Sequence, residues 1–350
     1  MAASVGLLIF SPGKKGKTPE INQKQRFFMP LPFTIGFQPR RGKEMTGFIL
    51  RHTDRIREVY FAWGDFSSGR GRLKTAEEQQ ATEEALAEFS RAGLGLDLLL
   101  NAECFGGESL ARKLYIKIGD TVDDLRSRFG LTAVTTASPV VAKFLKNNFS
   151  DIQVRASVNM GIGDPAELSY MAQYFDSFCL KREYNLDFVK LQTARSWCLD
   201  HGKHMVMLAN SGCLNGCPAR HFHDSLVAHE EEIALEDNAF GFGGICRDFL
   251  AGPDGPEKFF NHTNFVRPED LNLYENYVDM IKLATRTNPD PVQVMEAYLS
   301  GSYRGNLPAL LEPDHSGVLF PVILENSLLP ANFGTDRQKQ DWCKICSVKI

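Results

Sequence analysis

The sequence predicts a (β/α)8 barrel of the TIM type. Three observations carry that expectation: short apolar runs alternate with longer amphipathic ones from Phe33 onward, eight of the short runs have strand character, and most of them precede a plausible helix. The strand candidates are FTIGF (33–37), EVYFAW (58–63), LDLLL (96–100), LTAVTT (131–136), IQVRASV (152–158), DSFCLK (176–181), HMVMLA (204–209) and VDMIKL (278–283). Among the helices, 75–92 is rich in Ala, Glu and Gln, 120–129 opens on Asp120 as a capping residue, and 186–200 carries apolar residues at helical spacing. A further helix is expected over 292–299, after Pro289. The interval from Asn210 to Tyr277 is too long for a simple connection and is expected to hold a functional insertion. Residues 1–30 read as a mobile basic arm, 31–300 as the barrel, and 301–350 as a C-terminal extension with a cysteine pair.

Composition narrows the function classes. At 350 residues with 43% apolar and 23% charged residues, the chain can bury a large core. A formal net charge of −4 argues against a generic polyanion binder, because such binding rests on clustered Lys and Arg. No run approaches the roughly 18 consecutive apolar residues of a membrane span. The apolar opening Val5 to Phe10 lacks a preceding basic region and a small-residue cleavage site, so a cytoplasmic location without membrane insertion is expected. The segment SPGKKGKT departs from a phosphate-binding loop at Ser11, where the first Gly belongs, and at Pro19, which follows Thr18. It reads as a solvated arm.

The cysteines are unevenly spread. Cys179 and Cys198 fall inside a strand and a helix and read as core residues. Cys213 and Cys217 follow the seventh strand, close to His221, His223 and His229, and Cys343 and Cys346 form a second close pair. In a reducing compartment such pairs suggest metal or redox chemistry more than disulfides. Zinc would take Cys213 and Cys217 with His221 or His223. An iron–sulfur cluster would take Cys213, Cys217 and Cys246, with Cys343, Cys346 or Cys104 as the fourth thiolate. Arg220 stands where a radical S-adenosylmethionine enzyme needs a third cysteine, which disfavours that class. The plain alternative is a set of buried reduced thiols.

Barrel enzymes place their chemistry on the loops after the strands. Arg182 and Glu183 close the sixth strand, Asn210 follows the seventh, and Lys282 and Arg286 close the eighth, so all are expected to face one pocket. Clustered cations there suit an anionic substrate, with Arg as a bidentate clamp, while the bland alternative is an Arg182/Glu183/Lys282 ion-pair network. His223 and Glu230 are acid–base candidates. Arg267-Pro268-Glu269-Asp270 reads first as a helix start.

Four segments then resemble, in order, the barrel of the collagenase-like peptidase family, U32: ASVNM (156–160), FDSFCLKREYNLDFV (175–189), NSGCLNGCPARHFH (210–223) and FVRPEDLNLYENYVDMIKLATRT (265–287). The resemblance covers residues 95–300. Its relatives include proteins that hydroxylate RNA or ubiquinone precursors without molecular oxygen, several with a four-cysteine [4Fe–4S] cluster. By that resemblance Cys213, Cys217 and Cys246 look like cluster ligands, and Cys343 and Cys346 like a Cys-rich tail. The chain departs from the peptidase-like members at Ala284-Thr285, where they have Glu-Gly before the arginine, and in its cysteine spacing.

The resemblance implies an iron–sulfur-dependent enzyme that modifies an RNA base or an aromatic metabolite by hydroxylation or other redox chemistry, with an electron-donor protein as partner. Its catalytic residues would be Glu183 and His223, and its substrate-binding residues Asn159, Arg182, Asn210, Lys282 and Arg286. One alternative is a peptidase, metal-dependent or using Cys213 beside His223, although neither Gly-x-Ser-x-Gly nor His-Glu-x-x-His occurs. Another is a non-catalytic accessory protein that recruits RNA through Lys14 to Arg26.

Overall fold

Eight short parallel strands follow from the apolar runs: β1 (Phe33–Gly36), β2 (Ile56–Phe61), β3 (Gly95–Leu100), β4 (Ala133–Thr136), β5 (Gln153–Ala156), β6 (Ser177–Cys179), β7 (His204–Leu208) and β8 (Met280–Leu283). They pair in sequence order and close into a barrel through β1 and β8, with Thr34 opposite both Glu58 and Lys282. The computed structural model describes residues 30–69, 75–336 and 347–349, the last three as backbone only. The basic arm with its SPGKKGKT segment and Lys14 to Arg26, together with Cys343 and Cys346, lies outside the described residues.

The barrel is wrapped by α1 (Gly42–Arg51), α2 (Ala76–Arg91), α3 (Arg112–Phe129), α4 (Pro139–Asn148), α5 (Pro165–Met171) and α6 (Phe188–Asp200). Between β7 and β8 come α7 (Arg220–Ala228), α8 (Glu230–Ala234), α9 (Ile245–Leu250) and α10 (Gly255–His262), and α11 (Pro291–Ser300) follows β8. Local chemistry sets most starts: Thr75, Ser138 and Asp187 cap α2, α4 and α6, and Asp164 with Glu167 forms a capping box on α5. The helix expected to open on Asp120 instead begins at Arg112. Its N-cap, Ala111, makes no side-chain capping bond, so the true start left no signal, whereas Asp120 sits mid-helix. Arg267 grips Asp270 bidentately at 2.8 and 2.9 Å and opens a run of 3₁₀ turns over Pro268–Tyr274. None of the described helices is long and apolar enough to cross a membrane.

Strand alternation divides the core in two. One face, including Ile35, Val59, Leu98, Val134, Val154, Phe178, Met207 and Ile281, packs in the large apolar cluster that includes the surrounding helices. The other face points into the barrel, where Val158, Cys179, Val206, Leu208 and Ala284 make a small separate cluster. Beside it the barrel interior is ionic. Arg155 on β5 donates to both oxygens of Glu58 on β2 at 2.6 and 2.9 Å, to Asp97 on β3 at 3.0 Å, and to Ser177 Oγ on β6 at 3.2 Å. Thr135 Oγ1 on β4 donates to Asp97 at 2.7 Å. Burial opposes every one of these charges, yet the Arg155 guanidinium holds Glu58 below the usual carboxylate range, and the two acids keep Arg155 charged. Asp97 moves the other way, because burial and the neighbouring Glu58 outweigh what remains of Arg155.

Removing one member of a buried charge cluster leaves the others uncompensated, at a cost of about 3–5 kcal/mol. Arg155→Leu is therefore expected to lower unfolding stability by about 3–5 kcal/mol in urea titrations followed by circular dichroism.

Candidate functional site at the barrel mouth

The loops after the strands meet over a cavity of about 60 Å³ at the C-terminal end of the barrel. Its walls include Tyr60 from β2, Asn101 after β3, Asn159 after β5, Arg182 after β6, Asp224 from α7, Lys282 and Arg286 at β8, and Glu312 from the C-terminal segment. Of the expected substrate-binding residues, Asn159, Arg182, Lys282 and Arg286 meet here.

Each is held by its local backbone. Ser157 caps the turn that presents Asn159, which ends at Gly161 with φ of 65°, and Arg182 opens the 3₁₀ turn Arg182–Tyr184 directly after β6. Arg182 Nη2 donates to Asn159 Oδ1 at 3.0 Å. Its Nε and Nη1 are buried with no hydrogen-bond partner, on a residue only 6% exposed. Buried charged donors are normally satisfied, so two free ones on a residue that lines the cavity make it a candidate anion position. Arg286 is turned aside by donating to Ser68 Oγ at 2.8 Å. Lys282 Nζ stands 3.7 Å from the centre of the Tyr60 ring, and burial lowers its pKa from the ordinary lysine range. Asp224, also buried, keeps Oδ2 without a partner. The mouth therefore offers free donors on one wall and a free carboxylate oxygen on another, not bonded to each other.

Asn210 has a different role. Its Nδ2 donates to the carbonyls of Ala284 at 2.7 Å and Leu310 at 2.9 Å, and its Oδ1 accepts from the Ala284 N–H at 2.7 Å. The side chain is spent on tying β7, β8 and the C-terminal segment together, and it does not line the cavity. The expected catalytic residues Glu183 and His223 meet other partners. Glu183 accepts from Arg220 at 3.3 Å, anchoring α7, while His223 lies against the Phe242 ring with centroids 5.7 Å apart. Neither lines the cavity. Asp224 and Glu312, which do, were not singled out in the sequence.

Cys213, Cys217 and Cys246 are half-buried and free. Burial raises the Cys246 thiol, and the neighbouring Cys213 and Cys217 raise it further, so the three share one region of the insertion. Among the described residues, however, no three His, Cys, Asp or Glu side chains are placed to hold a metal. His221 Nδ1 bonds Glu103 at 2.7 Å, which leaves Nε2 as its other ring nitrogen. The described residues alone thus do not fit a resident cluster or zinc ion.

No protein-family model matches the chain. It is 27% identical over 262 residues, 73% of this chain and 75% of the other, to a protein of Methanocaldococcus jannaschii named as the uncharacterized protease MJ1657. Among solved structures it is similar to the U32 peptidase Mk0906, with a TM-score of 0.53 at 15% identity over 75% of this chain and 95% of that one. The fold is that of a U32 peptidase. Together the two similarities support the U32 resemblance carried by the four ordered motifs; neither carries the iron–sulfur hydroxylation branch.

The two asparagines separate a structural from a binding role. Asn210→Ala strands buried backbone groups and is expected to cost about 1–3 kcal/mol in urea unfolding, whereas Asn159→Ala strands the buried Arg182 guanidinium, should cost at least as much, and should in addition weaken binding of short free-acid peptides.

Proposed function

We propose that the chain is a U32-type hydrolase of peptide-like substrates, which binds an anionic end of the substrate at the barrel mouth. The observation that carries this reading is the buried guanidinium of Arg182, a residue that lines the cavity and keeps two donors unsatisfied. A substrate carboxylate accepts a charge-assisted hydrogen bond from one of them. Asp224 Oδ2 accepts from a substrate N–H or ammonium on the other wall. Lys282, with its lowered pKa, is suited to giving or taking a proton at the reacting group, and its ammonium form to stabilising negative charge there. The protease name of the archaeal relative and the U32 peptidase fold agree with hydrolysis at this level.

Hydrogen bonds to a charged group are worth about 1.5–3 kcal/mol each. Arg182→Leu should therefore lower kcat/KM on short free-acid peptides by roughly tenfold to a hundredfold, with little effect on their C-terminal amides. An equal loss on acids and amides would overturn the anchor.

The redox reading keeps one supporting observation, the shared neighbourhood of Cys213, Cys217 and Cys246. It predicts a brown protein with about four irons and four sulfides per chain after anaerobic purification. A colourless, iron-free protein after reconstitution would remove it.

A further inference from the structure

We propose that Cys104, His229 and Glu232 form a nucleophilic thiol site in which Cys104 accepts the acyl group of an amide or ester carbonyl. The inference deepens the hydrolase reading by naming its nucleophile.

The placement comes from two loops that also serve the mouth. Cys104 lies three residues beyond Asn101, in the loop after β3, and His229 joins α7 to α8 five residues beyond Asp224; Asn101 and Asp224 both line the cavity. The imidazole of His229 hydrogen-bonds the Cys104 sulfur, and its Nδ1 is 2.8 Å from Glu232 Oε2. The Gly106 backbone N–H donates to Cys104 Sγ at 3.3 Å. Gly106 has φ of +58°, and a Cβ there would stand 3.3 Å from His229 Cε1, so a glycine both permits the turn and leaves space for the ring. Nucleophile, base and orienting carboxylate thus stand in the order that activates a thiol.

The electrostatics agree with that geometry. The hydrogen bond from His229, followed by the Gly106 N–H, lowers the Cys104 thiol, and the bonds to Cys104 and then Glu232 raise His229. Both shifts favour a thiolate–imidazolium pair. By contrast, the buried Cys198 is pushed up to about 12, chiefly by burial, and Cys179 and Cys246 are also raised.

The reaction balances with water alone. The thiolate attacks the substrate carbonyl, the bond to the leaving amine or alcohol breaks, and His229 gives that leaving group its proton. Water then attacks the Cys104 thioester as His229 takes a proton from it. The carboxylic acid leaves as its carboxylate and a proton, and the thiolate returns.

The test alkylates the whole protein with limiting iodoacetamide near neutral pH and maps the label by mass spectrometry. Cys104 should be labelled ahead of Cys213, Cys217 and Cys246. An ordinary thiol is only a few per cent thiolate at pH 7, so His229→Asn should slow labelling at Cys104 by at least about tenfold while leaving the other thiols unchanged. Incubation with p-nitrophenyl acetate should place one acetyl group on Cys104, and Cys104→Ser should remove that thioester adduct. Labelling of Cys104 no faster than the other three, indifference to His229→Asn, or an acetyl group mapped elsewhere would overturn the proposal. Neither reagent carries an anionic end, so these outcomes are independent of the Arg182 anchor.

Discussion

The barrel is organised around a charge it has to neutralise internally. Arg155 lies almost wholly out of water, where an unpaired guanidinium would cost several kcal/mol. It is tolerated because Glu58 meets it with two oxygens and Asp97 with a third, each from a different strand. Adding Ser177, and Thr135 through Asp97, ties β2 to β6 through one side chain. That cluster commits the interior acids to Arg155. Lys282, buried in the same interior, meets their charge only at a distance and has its pKa lowered by burial, while Arg182 above has an asparagine as partner and no carboxylate. The vacant donors at the mouth thus follow from how the charges beneath them are paired.

What the sequence made legible is what local physics controls. All eight strand runs overlap the observed strands, because the face of each strand that packs against the helices is apolar or β-branched wherever the strand sits in the chain. Arg182, Lys282 and Arg286 converge because each lies in the last residues of a barrel strand or just beyond it, and barrel closure alone brings those ends together. Residues that reach the mouth from elsewhere gave no such signal. Asp224 arrives on a helix inside the insertion, and Glu312 is carried by the C-terminal segment, which bridges to Ser211 and receives the Asn210 side chain. Asn210 shows the converse. Its position after β7 matches a site residue, but its side chain meets backbone groups that only the folded chain brings near.

The cysteines illustrate the limit of spacing as evidence. A Cys-x₃-Cys pair beside three histidines suggests a ligand set, yet among the described residues no three such side chains are placed to hold a metal, and His229 meets Glu232 and Cys104. Thiol chemistry instead gathers at Cys104, whose partner lies more than a hundred residues along the chain and which no motif marks. Both halves of the hydrolase reading, an anion anchor and an activated thiol, are long-range constellations of this kind.

The central claim is that the mouth recognises an anionic substrate end through Arg182. Calorimetric titration of the whole protein with short peptides as free acids and as their C-terminal amides tests it most directly. Free acids are expected to bind at least about tenfold more tightly, as when one charge-assisted hydrogen bond is formed. Equal affinity for acids and amides would contradict it.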